Sequence, residues 1–509
     1  METKIVTKLE SLSKKIKNLK TKGKKIVQCH GVFDVLHLGH IKHFKTAKSL
    51  GDILIVTVTA DQYVNKGPNR PIFELQKRME MLSSLDSVDI VFPNFSSNAV
   101  DALKIVKPDI YCKGKEYRDH SLDSSGQITK ESKFVKNYGG KIFYTTDEIF
   151  SSSKIINQSG FNLNNLQKKF LLDLKKNVRN RFFPKKIIDN YDNLKILVIG
   201  ESIIDDYVAC ETLGKSGKEP VLVLRDIESK QFLGGALSIA NNLANFSRDI
   251  TLISALGEKK EFSKMINDNL NKSIKKKFIL KKNSSTILKK RYVDNINHTK
   301  IFGVYTINDE PLNKDSEIKF HNLIKKEIVK ADLVIVSDYG HGLISKKTAD
   351  FILKKSKFLA INAQLNAANV GHHTISMYKG ADLVIINENE MRHELRNKVD
   401  EKEKLIKLLS KNLKSKYTVV TSGNHGSTLY IRSKNKILKC PAFASKVRDK
   451  VGTGDTMLAS LALSIYKKDN VYFSMLFSAL AAAQNIQFMA NSKTLNKVNI
   501  IKSLESYLK

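Results

Sequence analysis

Two short stretches of this 509-residue chain carry side chains whose types and spacing suit phosphate chemistry. In GVFDVLHLGH, residues 31–40, His37 and His40 lie three apart, so on a helix their imidazoles share a face. Gly39 leaves that face without a side chain, which lets a phosphate approach the backbone. A helix N-terminus at this point adds partial positive charge. Two ring donors beside such a dipole suit the charge that grows when an oxygen attacks a triphosphate in line. A lone HxxH is equally a pair of helix-start histidines or a closely spaced metal pair. The second stretch is VGTGDT, residues 451–456. Gly452, Thr453 and Gly454 let successive backbone N–H groups turn inward as an anion nest, with Asp455 at its edge to take a proton from an attacking hydroxyl. Alone, GTGD is more often a helix cap than an active site.

The elements that must hold these residues are legible as an alternation of strand and helix. KKIVQCHG reads as a strand and IKHFKTAKSLGD as helix, which puts the histidines on a strand-to-helix turn, where α/β sheets bind ligands. DILIVTVTA, VDIVFP, PDIYCKG and KIFYTT read as further strands, LQKRMEMLSSL, NAVDALKIVK and SSSKIINQ as helices. The expectation is a Rossmann-like, doubly wound parallel α/β domain over residues 1–157. Ahead of it, Ile5, Leu9, Leu12, Ile16 and Leu19 fall at helical spacing. With Glu2, Glu10 and no apolar core this start reads as a packed amphipathic helix, not a signal peptide. Residues 158–192 read as a connecting helix and linker. A second alternation runs from LKILVIGES to KVGTGDTMLASLALSIY, giving a larger α/β domain over residues 193–509.

Composition excludes several classes. Apolar residues are 41% and charged residues 27%, which rules out disorder, collagen and coiled coil. The 86 Lys and Arg against 51 Asp and Glu leave a net charge of +35, a balance that suggests nucleic acid or anionic membrane. The lysines come as scattered pairs and triplets without a run of five, and no aromatic–basic motif accompanies them. They read as a solvated surface with a few phosphate sites, so neither nucleic acid nor membrane insertion is expected. The apolar segment 475–483 is too short to span a bilayer. Four cysteines with no CxxC pair exclude a disulfide scaffold and a zinc ribbon and suit the cytoplasm.

Further residues extend the first stretch. GHIK supplies Lys42, KGPNRP supplies Lys66, LQKRMEML supplies Arg78, CKGKEY supplies Lys113 and Gly114, and Ser151, Ser152 and Ser153 open the last helix. With Gly31, Phe33, Asp34 and Gly39, this set resembles the nucleotidyltransferase superfamily that carries the HxGH signature, over residues 24–157. The resemblance implies that these residues bind nucleotide and phosphate and that His37 and His40 are catalytic. A substrate phosphate oxygen attacks the α-phosphorus, usually with Mg²⁺, and pyrophosphate leaves. Within the superfamily the wording is most similar to the sugar-phosphate adenylyltransferase half of bifunctional ADP-heptose synthases, which implies ATP. Lys42 is shared with glycerol-3-phosphate cytidylyltransferases, which keeps CTP as the alternative.

The second stretch also has companions: Asp205 after the opening strand, Gly234-Gly235, Asn387-x-x-Glu390, and Thr421-x-Gly423-x-x-Gly426. In this order they resemble the ribokinase/phosphofructokinase-B sugar-kinase family, with a small β lid. That implies nucleotide and phosphate binding by Asn387, Glu390, Thr421, Gly423, Gly426, Gly452, Thr453 and Gly454, and a general base at Asp455. It implies sugar binding by Asp205, Gly234, Gly235, Ser238 and Asp338. Magnesium is expected to arrive with the nucleotide, near Glu390, with no direct metal-ligand motif. Ser238, His341 and Asn362-Ala363-Gln364 depart from the ADP-heptose pattern, all on the sugar side, and the order of the halves is reversed. The combined expectation is a bifunctional enzyme that makes a nucleotide-activated sugar for cell-surface glycans. Its small-molecule partners are a sugar phosphate and an NTP, and it is expected to dimerise through the kinase domain.

Overall fold

Short β-branched runs make the strands of the first unit: β1 (Ile26–Gly31), β2 (Ile53–Thr59), β3 (Ile90–Asn94), β4 (Ile110–Gly114) and β5 (Lys141–Thr145). In the computed structural model, which describes residues 4–68, 70–120, 123, 125–145, 163–178, 183–365, 369 and 373–508, they pair in the order β3-β2-β1-β4-β5. Every pairing is parallel. The order reverses between β1 and β4, which creates the crevice where such sheets take ligands. Helix Leu38–Ser49 starts just past the end of β1, at that crevice.

The amphipathic start is shorter than its spacing suggests. Helix Leu9–Thr21 buries Leu12 and Ile16 against Ile26, Ile55 and Ile90, but Leu9 is 53% exposed. Ile5 is not helical. The Val6 N–H donates to the Val91 carbonyl and the Val91 N–H to that of Lys4, so the segment extends along β3 and satisfies its backbone there. The helix expected from SSSKIINQ lies outside the described residues.

The chain forms two compact units, Met1–Lys168 with Ile501–Lys509, and Lys169–Ile500. The last nine residues, read from sequence as part of the second domain, therefore pack with the first unit. The connecting segment holds helices Asn165–Asn177 and Pro184–Asp189, the second opening on a proline whose missing N–H costs nothing there.

The second unit has two sheets. Its strands are β6 (Lys195–Gly200), β7 (Ser202–Lys215), β8 (Leu222–Gly235), β9 (Asp249–Gly257), β10 (Lys275–Lys281), β11 (Ile287–Asp294), β12 (Lys300–Thr306), β13 (Leu333–Asp338), β14 (Leu359–Ala363), β15 (Leu383–Asn387), β16 (Tyr417–Thr421), β17 (Ser427–Ile431) and β18 (Lys436–Cys440). The large sheet runs β10-β9-β6-β13-β14-β15-β16-β17-β18, parallel until β17 and β18 turn back. Its core is made by Leu197, Ile199, Val334, Val336, Ile361 and Ile386 under the flanking helices. Helix Thr453–Tyr466 is buried from Thr456 to Ile465, as an apolar surface on all sides requires. The small sheet, β12-β11-β7-β8, is a long antiparallel hairpin joined by β11, parallel to β7. This is an α/β fold with a small β lid.

The placement of the first helix is testable. Leu12→Ala should lower the stability of the first unit by about 2–5 kcal/mol through lost burial and a cavity, whereas Leu9→Ala should shift it by less than about 0.5 kcal/mol. Urea midpoints of the two variants check this.

Candidate active sites

In the first unit the turn after β1 is shaped around Gly31 and Phe33. Phe33 has a φ of +50°, and its ring lies so close over Gly31 that a Cβ there would meet it at 2.9 Å. The ring packs edge-on to His40, with centroids 5.4 Å apart. His37 caps the helix: its Nδ1 accepts from the His40 N–H at 3.3 Å. That assigns the proton to Nε2, which is itself buried. The two imidazoles stack with centroids 3.8 Å apart, so the sequence spacing does bring them together. Burial, then the neighbouring His37, Lys66 and His43, pushes His40 down to about 3, and burial and Lys66 lower His37. Both are neutral at pH 7. His40 Nδ1 is buried with no hydrogen-bond partner, a polar atom that a ligand would satisfy. Lys66 is thus electrostatically coupled to both rings, while Lys42 lies exposed on the helix.

Two expected ligand residues are engaged inside the protein. The fully buried Asp34 accepts from Arg70 Nη1 at 2.9 Å and from the Ile72 N–H at 2.6 Å, so it ties these residues to the turn after β1. Arg78 is fully buried too. Its guanidinium donates to the Phe73, Val32 and Thr59 carbonyls and to Asp61. Four of its five N–H groups are spent on holding the turn that carries the histidines. Lys113 at the end of β4 is buried against Glu131 at 3.1 Å and near the Tyr111 and Tyr117 rings. Burial disfavours its charge, but Glu131 outweighs that and raises its pKa. At Gly114 a Cβ would collide with the Glu116 carboxylate at 2.3 Å. Ser151, Ser152 and Ser153 lie outside the described residues.

In the second unit the glycines make room for acids. A Cβ at Gly234 would stand 2.4 Å from Asp205 Oδ2, and Gly235 adopts a φ of +57° with the Glu201 carbonyl 2.5 Å from any Cβ. Gly452, at φ +80°, caps helix Thr453–Tyr466. The N–H groups of that first turn have no intrahelical acceptor and mark the nest. Asp455, in the same turn, accepts from the Tyr339 hydroxyl at 2.8 and 2.9 Å. Desolvation, with the Asp205 charge adding to it, pushes Asp455 up to about 7 against the opposing Tyr339 hydrogen bond and Lys289. Ser238 Oγ, Thr453 Oγ1 and Thr456 Oγ1 are buried without partners.

Tyr378 donates to Asp338 Oδ2 at 2.6 Å and the Gly340 N–H to its Oδ1 at 3.0 Å, so the carboxylate also builds the turn after β13. Asn387 and Glu390 form a reciprocal capping box on helix Glu388–Glu394, with the second Glu390 oxygen accepting from the Leu365 N–H at 3.3 Å. Thr421 ends β16. Gly423 and Gly426, at φ +56° and +82°, make the tight turn into β17, where a Cβ on Gly426 would strike the Cys440 carbonyl at 2.1 Å. His341 is buried and paired with Asp309 at 2.6 Å.

Sequence reading missed two cations. Lys289 and Arg291 alternate on β11 and so share one face; Lys289 is registered opposite Asp205 on β7. Arg291 pairs with Asp205 and lies over the Tyr207 and Tyr305 rings. Lys289 Nζ is 5.1 Å from the Tyr339 ring. The signal was present as the period-two KKR in a strand, but the partner acid lies more than 80 residues away. Cys29, His43 and Cys112 also converge, with ligand atoms within 4.8 Å of one another. Burial and the Cys112 contact push the Cys29 thiol well up, which keeps it a neutral core group.

Two parallel α/β units, each with a strand-to-helix or glycine turn opening on anion-binding backbone, are the architecture of enzymes that handle nucleotides. Residues 193–495 match the pfkB family carbohydrate kinase model, more than half of the chain, and the chain belongs to that family. Residues 29–158 match the cytidylyltransferase-like model. The chain is 28% identical over 319 residues to the bifunctional protein HldE of Campylobacter jejuni, covering 61% of this chain and 65% of that one. It is 31% identical over 296 residues to its namesake from Helicobacter pylori, covering 57% and 62%. The chain thus spans under two thirds of the length of these two relatives. A putative ribokinase from Agrobacterium tumefaciens aligns at 15% identity over 62% of this chain and 99% of that one, with a TM-score of 0.49.

The reassigned Arg78 gives a test. Arg78→Met leaves the buried Thr59 carbonyl and the part-buried Phe73 and Val32 carbonyls without their donor and should lower stability by about 1–3 kcal/mol, read as a urea midpoint. NTP affinity of the folded fraction should change less than for Lys66→Ala.

Proposed function

We propose that the chain is a bifunctional enzyme. The second unit transfers a phosphoryl group from ATP to a sugar or sugar phosphate, and the first transfers a nucleotidyl group from an NTP to a sugar phosphate. The relatives named HldE and the two family matches support pairing these activities in one chain. The observation that carries the reading is Asp455. A carboxylate poised at about 7 beside an anion nest is matched to the work of a general base. It takes the proton of the acceptor hydroxyl as that oxygen attacks the γ-phosphorus and ADP leaves, while the first-turn N–H groups stabilise the charge on the transferring group. Lys289 and Arg291 add positive charge beside Asp205, which supports an acceptor that already bears a phosphate.

In the first unit the attacking group is the sugar phosphate oxygen. It bonds to the α-phosphorus and the bond to pyrophosphate breaks. His37 and His40 donate to the oxygens that gain charge, and Lys66 and Lys113 offset the triphosphate. Magnesium fits both sites through the nucleotide, because it keeps most of its waters and needs few protein oxygens; Glu390 would accept from such a water. Bound there, it would neutralise phosphate charge. The product we favour is of ADP-heptose type, with a CDP-linked product as the alternative, made in the cytoplasm and destined for cell-surface glycans. Exposed Leu222, Val223, Ile227, Phe302 and Val304 on β8 and β12 support dimerisation through the kinase unit. Among the described residues no helix is long and apolar enough to cross a membrane.

Three measurements test this. Asp455→Asn should lower acceptor-dependent ADP formation by about 10²–10⁴-fold while ATP still binds. In wild type the kinase rate should rise about tenfold per pH unit below about 7 and level off above it, because the base acts only when ionised. A flat profile between pH 5.5 and 8 would show that Asp455 is not the base. His40→Ala should reduce pyrophosphate release by about 10²–10³-fold and leave ADP formation unchanged; normal release would reduce the histidine pair to a helix cap.

A further inference from the structure

Two groups of the first unit's site flank Gly67 and Pro68 in the sequence: Lys66, whose charge acts on His37 and His40, and Arg70, latched to Asp34. Gly67 and Pro68 meet residues more than 430 positions later. Gly67, at φ +100°, sits against helix Lys497–Leu508, where a Cβ would lie 3.2 Å from the Tyr507 ring and 3.5 Å from Ser503. The Tyr507 hydroxyl donates to the Pro68 carbonyl at 3.3 Å. Ser503 and Tyr507 are one helical turn apart, so a single face meets the loop. Both are buried, and Leu504 between them is fully buried. On the same helix Lys502 is close enough to feel the charges of Asp123, Glu131 and Lys113.

We propose that Ser503 and Tyr507 position the Lys66-bearing loop for the nucleoside triphosphate, so that a segment following every kinase motif serves the nucleotidyl-transfer site. This rests on the nucleotidyl-transfer reading above. They are positioning residues: they touch the loop backbone at Gly67 and Pro68, and the loop presents Lys66. A glycine with no Cβ to pack and a positive φ has the widest conformational freedom of any residue, so the loop keeps one conformation only while something holds it. Without the brace the binding-competent loop is a fraction of the population, and apparent NTP affinity falls by that fraction.

The test uses the full chain with Tyr507→Ala, Tyr507→Leu and Tyr507→Phe. It reads NTP KM and kcat by pyrophosphate release, ADP formation in the same preparation, and amide hydrogen exchange across residues 64–72. Tyr507→Ala and Tyr507→Leu should raise NTP KM about tenfold with kcat within about threefold, for a loop competent in roughly a tenth of molecules. They should also speed exchange across the loop and leave ADP formation intact as the sign of a folded chain. Tyr507→Phe, which keeps the ring on Gly67, should restore most of the affinity. Wild-type KM and wild-type loop exchange in both Tyr507→Ala and Tyr507→Leu would overturn the proposal. If wild type transfers no nucleotide from any NTP yet loop exchange still depends on Tyr507, the brace stands and the nucleotidyl-transfer reading fails.

Discussion

Asp455 is a carboxylate taken out of water with the Tyr339 hydroxyl and the Lys289 ammonium as its main compensation. Much of the second unit is arranged around that constraint. Gly452 must take a positive φ for the helix to begin where it does, and Gly234 must lack a side chain for Asp205 to sit in reach. Asp205 would raise the cost further, so β11 runs beside β7 and places Lys289 and Arg291 on the facing side. Behind them Glu201, raised to about 8 by burial and by Asp338, accepts from the Tyr339 and His341 N–H groups and fixes the turn that carries Tyr339. Buried acids arranged this way hold one carboxyl at about 7, the range a general base at physiological pH requires.

The first unit solves a different problem. Its histidines are held neutral by burial and by nearby cations, so they act as fixed donors. Rigidity comes from Arg78 and from the Asp34–Arg70 latch, whose charges are consumed within the protein. Removing such buried partners costs stability before it costs affinity.

Most of the fold was legible because strands buried on both faces and short α/β turns announce themselves locally; β1 to β4 fall where the apolar runs do, and the edge strand β5 where KIFYTT alternates. The glycine-bearing motifs were legible for the same reason, since a turn needing a positive φ names its residue. What could not be read depends on distance along the chain. Arg78, Asp34 and Asp338 have the right types for ligand binding, and the partners each also finds within the protein come from tertiary pairing. Lys289 and Arg291 lie in a lysine-rich strand that looks like ordinary surface until β7 brings Asp205 alongside. Ile5 follows the helical spacing but gains more by bridging to Val91.

The central claim is that one chain transfers both a phosphoryl and a nucleotidyl group. Phosphorus-31 NMR on a single wild-type preparation tests it most directly, with Mg²⁺, ATP or CTP, and panels of sugar phosphates with a free or a phosphorylated anomeric position. A chain with both activities gives ADP with a new sugar phosphate resonance from one panel, and pyrophosphate with a diphosphate-linked sugar from the other. Formation of ADP with no pyrophosphate from any NTP and any sugar phosphate, or of pyrophosphate with no acceptor-dependent ADP, would contradict it.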